Sequence, residues 1–388
     1  MVAPRLSGTF PDPYPLSVTQ RQPIPVLGPI VGTLGRTATM LGALAIGATA
    51  ATFILRAAGA SHVVVFVVSA VALAGLAALV GEGTDHLGRR FGPGATGVLQ
   101  SALGNLPELF ISIFSLQAGL VTVVQTALIG SILANTLLVL GLAFLLGGWR
   151  NGPQTFHAPA VRTIAVLLLL AVAVLAIPSL ATAPGAPDVG HAQDLSVFVA
   201  IVMLVVFVAS IPFSISGGKG ASAFDSPVHD AWSLRLAISV LAAAGLGAAL
   251  VSDWFVEALK PSMASLGLSE AFVGLVIVAI AGNAVENVVG IQMAMRNKAD
   301  LAISLILNSS LQVALALTPA LVLLSLVIGG SVLTLVLSPL LAATLVLCAI
   351  LAAVIVFDGE STWLEGLALL GLYAVIAASV WYGPPIQP

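Results

Sequence analysis

The chain alternates long apolar runs with short breaks of turn and polar residues. A helix needs about 20 apolar residues to cross a hydrocarbon core. Runs of that kind cover about 37–57, 62–81, 94–117, 120–147, 161–182, 195–215, 232–252, 270–295, 300–328, 331–356 and 362–382. Breaks such as Arg89-Arg90-Phe91-Gly92-Pro93, Trp149-Arg150-Asn151-Gly152-Pro153, Ser216-Gly217-Gly218-Lys219-Gly220 and Arg296-Asn297-Lys298 separate them. The pattern predicts an all-α polytopic membrane protein with about 11 transmembrane helices. Before the first run, residues 1–36 carry Pro4, Pro11, Pro13, Pro15, Pro23, Pro25 and Pro29, which predicts an irregular tail.

Composition agrees. Of 388 residues, 59% are hydrophobic and 7% are charged, against about 25% charged in a soluble domain. Such a chain cannot cover a water-facing surface, so its surroundings are a lipid bilayer. A net charge of −3 gives no footing for nucleic acid. A single Cys348 excludes an internal disulfide framework or a thiolate metal cluster. The five His are scattered, none at ligand spacing from another. Gly217-Gly218-Lys219-Gly220 lacks the spacing and the Ser or Thr of a phosphate loop, and no cofactor is expected.

The polar residues inside the runs repeat. Asn105 and Asn283 are 178 positions apart, as are Glu108 and Glu286, and Ser131 and Ser309. Leu79-Val80-Gly81-Glu82 is similar to Leu250-Val251-Ser252-Asp253 at a spacing of 171. Spans 2–6 therefore repeat as spans 7–11, and span 1 is extra. Five is odd, so the two halves lie in the membrane with opposite orientation, an inverted repeat of the transporter kind. The expected plan is a cytoplasmic tail over 1–36, an extra helix over 37–60, a first repeat over 61–215, a cytoplasmic linker over 216–231 and a second repeat over 232–388. The positive-inside rule places the N-terminus in the cytoplasm and the C-terminus outside. Eleven basic residues then lie inside (Arg5, Arg21, Arg36, Arg89, Arg90, Arg150, Arg162, Lys219, Arg235, Arg296, Lys298), and Arg56 and Lys260 outside. Asp358, Glu360 and Glu365 fall on an inner connection without a basic residue, but acidic residues weigh little in this rule. Short loops point to a prokaryotic cytoplasmic membrane.

Two stretches put a carboxylate in the middle of an apolar run, Gly104-Asn105-Leu106-Pro107-Glu108 and Gly282-Asn283-Ala284-Val285-Glu286. A charge at the bilayer centre costs roughly 2.5–3.5 kcal/mol even on the lenient insertion scale, and packing never requires one. Ser101, Asn105, Glu108, Ser112 and Ser115 share one helical face, as do Asn283, Glu286 and Gly290. Ser131 and Asn135, and Ser304, Asn308, Ser309 and Gln312, form polar stripes on the following spans. They either line the same cavity or join helices by hydrogen bonds. Gly104, Pro107 and Gly282 break helices and free backbone carbonyls. Two Glu, amides, hydroxyls and carbonyls make the oxygen set that calcium takes, about six to eight ligands, with sodium as a competitor. With no Cys or His in these stretches, zinc and copper are disfavoured.

Two ionised Glu leave an empty site at −2, costly to occlude in a low-dielectric interior. One divalent cation neutralises it, and so do two protons. A protein that rearranges only when neutral exchanges one for the other, which predicts antiport. Glu82 and Asp253 stand by symmetry at opposite mouths, unless they are ordinary solvated charges at helix ends.

Gly-Asn-x-x-Glu in both halves resembles the two signature repeats of calcium/proton exchangers, in the cation/calcium antiporter superfamily. Gly81-Glu82-Gly83-Thr84, Val124-Gln125 before Gly130-Ser131-Ile132-Leu133-Ala134-Asn135, and Ser309-Ser310-Leu311-Gln312 extend the likeness over about 61–382. The resemblance implies calcium export driven by protons, with Glu108 and Glu286 carrying either cation or protons. It implies calcium contacts from Asn105, Asn283, Ser131, Ser309 and Gln312; Gln125, Asn135 and Asn308 are accessory candidates beside them. The chain departs from that pattern in three places. Asn287 stands where a His often follows the second Glu, and Asn308 stands where Gly is usual. Leu106-Pro107-Glu108 is similar to the Leu-Pro-Glu of sodium/calcium exchangers. Sodium-coupled calcium exchange is the alternative within transport, and a passive cation channel the alternative outside it. No Ser–His, His-Glu-x-x-His or paired-Asp arrangement supports an enzyme.

Overall fold

A computed structural model describes residues 36–91, 103–186, 190–217 and 232–382. The expected tail over 1–35, most of the linker and the chain's last residues lie outside them. The helices are α1 (Arg36–Ala57), α2 (His62–Phe91), α3 (Leu106–Gln117), α4 (Val121–Asn151), α5 (Ala158–Ala181), α6 (Ala192–Gly217), α7 (Leu234–Leu266), α8a (Glu270–Gly282), α8b (Ala284–Met295), α9 (Ala299–Ser325), α10 (Pro339–Ile355) and α11 (Trp363–Tyr382). Eight of them are long and apolar enough to cross a membrane. The α8a–α8b pair, bent by 63°, would make a ninth span, and α3 and α10 are shorter apolar helices. The expected eleven spans thus map onto eight full helices, one broken pair and two short helices. The residues before α3, 92–102, lie outside the described set.

Large apolar side chains such as Met40, Ile46 and Phe53 on α1 and Val205 and Val208 on α6 point outward, where lipid is their only apolar solvent. The interior holds two main clusters. One joins α4, α5, α9 and α10 around Phe144, Leu168, Leu321 and Leu345. The other joins α2 and α7 through the stacked rings of Phe66 and Phe255, 4.8 Å apart. Helices α4 and α8a cross closely because both supply glycine. A Cβ on Gly130 would come within 2.6 Å of Leu275 Cα, and one on Gly274 would overlap the Thr126 hydroxyl. Small residues at membrane helix crossings permit this approach.

Side-chain bonds group the connections on two sides. On one side β1 (Gln154–Thr155) pairs antiparallel with β2 (Glu360–Ser361), a small ribbon the apolar pattern did not predict. Gln154 Nε2 also donates to Ala294 O at 2.9 Å and Asn297 Oδ1 at 3.0 Å. On the other side Arg56 pairs with Glu257, and Ser269 Oγ donates to Val380 O at 3.3 Å.

Two expectations need correction. The helix expected over 331–356 begins only at Pro339, and residues 331–338 are extended. α9 ends at Ser325, and Gly329 and Gly330 adopt φ of 75° and 92° in the turn that follows. Helix is also barred immediately upstream of Pro339, because a residue before proline disfavours the helical region. Ser338 caps the new helix by accepting from Leu341 N–H. Buried non-helical backbone must find partners, and side chains on four helices supply them. Leu333, Leu335 and Leu337 N–H donate to the hydroxyls of Ser325, Ser196 and Ser179 at 3.0, 2.9 and 2.8 Å. Gln125 Nε2 donates to Thr334 O and Val336 O at 2.9 and 3.2 Å. The second correction concerns α2 and α7, which run well past Glu82 and Asp253, so neither residue ends its helix. Asp253, Glu257 and Lys260 are exposed while Trp254, Phe255, Ala258 and Leu259 are buried. The helix continues there as an amphipathic one.

Candidate ion-binding site

The two signature stretches both form helix breaks, and the breaks have nearly the same backbone. Asn105 precedes α3 with φ −93° and ψ 15°, and Asn283 precedes α8b with φ −106° and ψ 15°. This is the sparsely populated bridge region where active-site residues often sit. Pro107 falls in the first turn of α3, where a missing N–H breaks no bond. Its residue type marked it as a helix breaker, but the break lies just before it, at Gly104-Asn105. The second break forms without a proline. Neither Asn side chain caps its own helix, so both amides are available to the interior.

Glu108 also lies in the first turn of α3, where the helix dipole favours a carboxylate. It is 1% exposed. Its carboxylate accepts a hydrogen bond from the Ser131 hydroxyl of α4. Asn283 Nδ2 in turn donates to Ser131 Oγ at 2.9 Å and to Ala279 O at 2.9 Å. A Cβ on Gly282 would lie 3.5 Å from Glu108 Cβ and 3.8 Å from its carboxyl carbon. The first-repeat carboxylate therefore rests directly against the second-repeat break. Asn135 Nδ2 donates to Ser309 Oγ at 3.1 Å, joining α4 to α9. Gln312 is buried one turn further on, and Asn308 is half-buried. The side chain of Glu286 lies outside the described residues; its backbone is in the first turn of α8b.

Several buried polar atoms here have no hydrogen-bond partner among the described residues, namely Asn105 Nδ2, Asn283 Oδ1, Ser112 Oγ and Asn287 Oδ1. Each such atom costs about 1–3 kcal/mol. Three of the four are oxygens, the donor type a hard cation takes. π-helical turns lie at the ends of the polar stripes, one over Ala134–Val139 that includes Asn135 and one over Val313–Leu317 directly after Gln312, and such turns recur at functional sites.

Not every expected residue joins this centre. The Gln125 amide holds the extended 331–338 segment. Glu82 is half-buried, with His86 Nε2 3.4 Å away, while His86 stacks on Trp232 and accepts from its backbone N–H at 3.3 Å. Asp253 is exposed on α7. Ser101 lies outside the described residues. The residues that sequence reasoning missed are Ser179, Ser196 and Ser325. Each is a lone hydroxyl in an apolar run, so no pattern marked them. Gly329-Gly330 and Ser338-Pro339 were the signals that could have exposed the segment they hold.

The profile of one family, described as "Sodium/calcium exchanger protein", matches residues 61–216 and again residues 236–382. The chain belongs to the sodium/calcium exchanger protein family. This exchanger-family chain is 33% identical over 349 residues to a Ca2+/H+ antiporter of Synechocystis sp., covering 84% of this chain and 93% of the relative. It is 34% identical over 324 residues to the Ca2+/H+ antiporter ChaA of Bacillus subtilis, covering 81% and 91%. The solved structure of native YfkE shares 31% identity and superposes with a TM-score of 0.75, covering 88% of this exchanger-family chain and 99% of that one.

Proposed function

We propose that this protein is a secondary active antiporter, not an enzyme, that exchanges Ca2+ for H+ by alternating access. Glu108 and Glu286 bind either the cation or protons. The observation that carries this reading is the buried Glu108 carboxylate, held by Ser131 and packed against the Gly282 break of the other repeat. The names of the similar Ca2+/H+ antiporters support it. Ca2+ would take oxygens from Glu108, Glu286, Asn105, Asn283, Ser131, Ser309 and Gln312, with Asn135 bridging to Ser309. With the cation bound, or with protons on the carboxylates, the centre approaches neutrality and the two repeats can re-pack around it. Empty and charged, it is held back by the cost of occluding net charge. Close carboxylates titrate as one coupled pair, so proton uptake and cation release are a single linked event. The family profile's two matched stretches favour a division into two five-span repeats around the 216–231 linker. The distribution of basic residues favours a cytoplasmic N-terminus, and the short loops favour a prokaryotic cytoplasmic membrane.

A second reading replaces protons by sodium, and Leu106-Pro107-Glu108 favours it. Calcium uptake into inside-out vesicles separates the two, driven by an imposed proton gradient or by a sodium gradient. Uptake driven by protons alone, and lost in Glu108→Gln and Glu286→Gln, is the expected result. Uptake driven only by sodium selects the second reading. Unchanged flux in either variant removes the paired-carboxylate mechanism.

A further inference from the structure

Helices α5 and α10 leave a groove of about 390 Å³ between them, lined by Leu169, Ile350, Ala353, Val354, Phe357 and Asp358. It opens toward the side that carries the β1–β2 ribbon. The same side exposes Trp149 and Trp363, at 80% and 51%, and tryptophan collects at the level of lipid headgroups. The groove walls are apolar, and two opposite charges stand at its end. The Arg162 guanidinium lies over the Phe357 ring, 4.1 Å from its centroid, and its Nε donates to Phe357 O at 2.7 Å. Its Nη2 donates to the same carbonyl. Asp358 Oδ1 accepts from Glu360 N–H at 3.1 Å. The two charges lie at the same end of the groove yet do not pair with each other. Among the described residues neither forms an ion pair with any other side chain.

A cation and an anion held apart at headgroup depth, beside an apolar channel, match a ligand with both charges and a hydrocarbon chain. We propose that this groove binds a zwitterionic aminophospholipid. The phosphate sits on Arg162, whose planar guanidinium suits phosphate oxygens. The primary ammonium donates to Asp358, and an acyl chain lies along Leu169, Ile350 and Val354. A choline headgroup has no N–H to donate, and a glycerol headgroup has no cation, so the site distinguishes phosphatidylethanolamine from phosphatidylcholine and phosphatidylglycerol. This inference does not depend on which ions are exchanged.

Native mass spectrometry of the delipidated full chain, given each of the three lipids in turn, tests it. Phosphatidylethanolamine is expected to be retained about tenfold better than the other two, the worth of one partly exposed charge-assisted bond. Asp358→Asn changes an exposed side chain and should erase the preference over phosphatidylcholine. Ala353→Trp should fill the groove and remove retention of all three lipids. Equal retention of the three lipids by the wild type would overturn the proposal, as would an intact preference in Asp358→Asn. A dimer mass without lipid, lost in Ala353→Trp, would also overturn it, because the groove would then be an interface between copies.

Discussion

The connection between α4 and α5 and its counterpart between α9 and α10 occupy matching places in the two repeats and are built by opposite means. Residues 152–157 form a short surface loop whose backbone pairs with β2. Residues 331–338 lie extended within the protein, with their N–H groups on the hydroxyls of Ser179, Ser196 and Ser325 and two carbonyls on Gln125. The two helix breaks differ far less. Asn105 and Asn283 share a ψ of 15°, with φ of −93° and −106°. The two signature breaks keep similar geometry while the connections at the periphery diverge. At the centre one polar constellation must serve both halves, whereas a connection needs only to satisfy its own backbone.

That contrast can be broken at its strongest point first. Glu108→Gln and Glu286→Gln should each abolish proton-driven calcium uptake in vesicles, to the same extent. A large difference between them would make the site one-sided. Next, Gly274→Val should lower the thermal midpoint in detergent sharply, because its side chain would overlap Thr126 and crowd Val123 O at 2.5 Å. Overpacking of this kind costs about 1–3 kcal/mol or more.

Ser196→Ala and Ser179→Ala should each destabilise the protein by about 1–3 kcal/mol, because a buried backbone N–H loses its acceptor. By contrast, Thr163→Ala on α5 removes an exposed hydroxyl bonded to Pro159 O and should cost no more than about 0.5 kcal/mol. Equal losses in the thermal midpoint would show that the extended segment is not specially held. The two Asn of the breaks should differ from each other in transport. Asn283→Ala removes the donor that orients Ser131 toward Glu108, and should weaken the apparent calcium affinity about tenfold, the value of one bond in a charged network. Asn105→Ala removes an amide whose Nδ2 has no partner among the described residues and should act more weakly in the same transport assay.

Much of this was legible in the chain. The spacing of Asn105 and Glu108 against Asn283 and Glu286 pointed to two matched breaks, since a buried carboxylate beside a helix-breaking Gly has few other uses. Hydropathy gave the helical membrane architecture, because lipid admits little else. It misjudged α10, because Leu333, Leu335 and Leu337 are apolar in a strand and a helix alike. It also misjudged the ends of α2 and α7, where an amphipathic face continues the helix after the all-apolar run stops. Gln125 read as an ion-site neighbour because the flanking motif contains it, but its amide reaches a segment more than 200 residues away in sequence.

By itself the sequence determined what must be buried: long apolar runs and the carboxylate of Glu108 beside a helix break. Those follow from the cost of placing charge and bare backbone in hydrocarbon, which any fold of this chain must meet. Only the tertiary structure decided which groups meet that cost. It set Ser131 between Glu108 and Asn283, sent Gln125 and three serines to the extended segment, and left Arg162 and Asp358 beside a groove without pairing them to each other. A hydroxyl or an amide can serve any partner within reach, so its role is fixed by the helices that pack around it and not by its place in the chain.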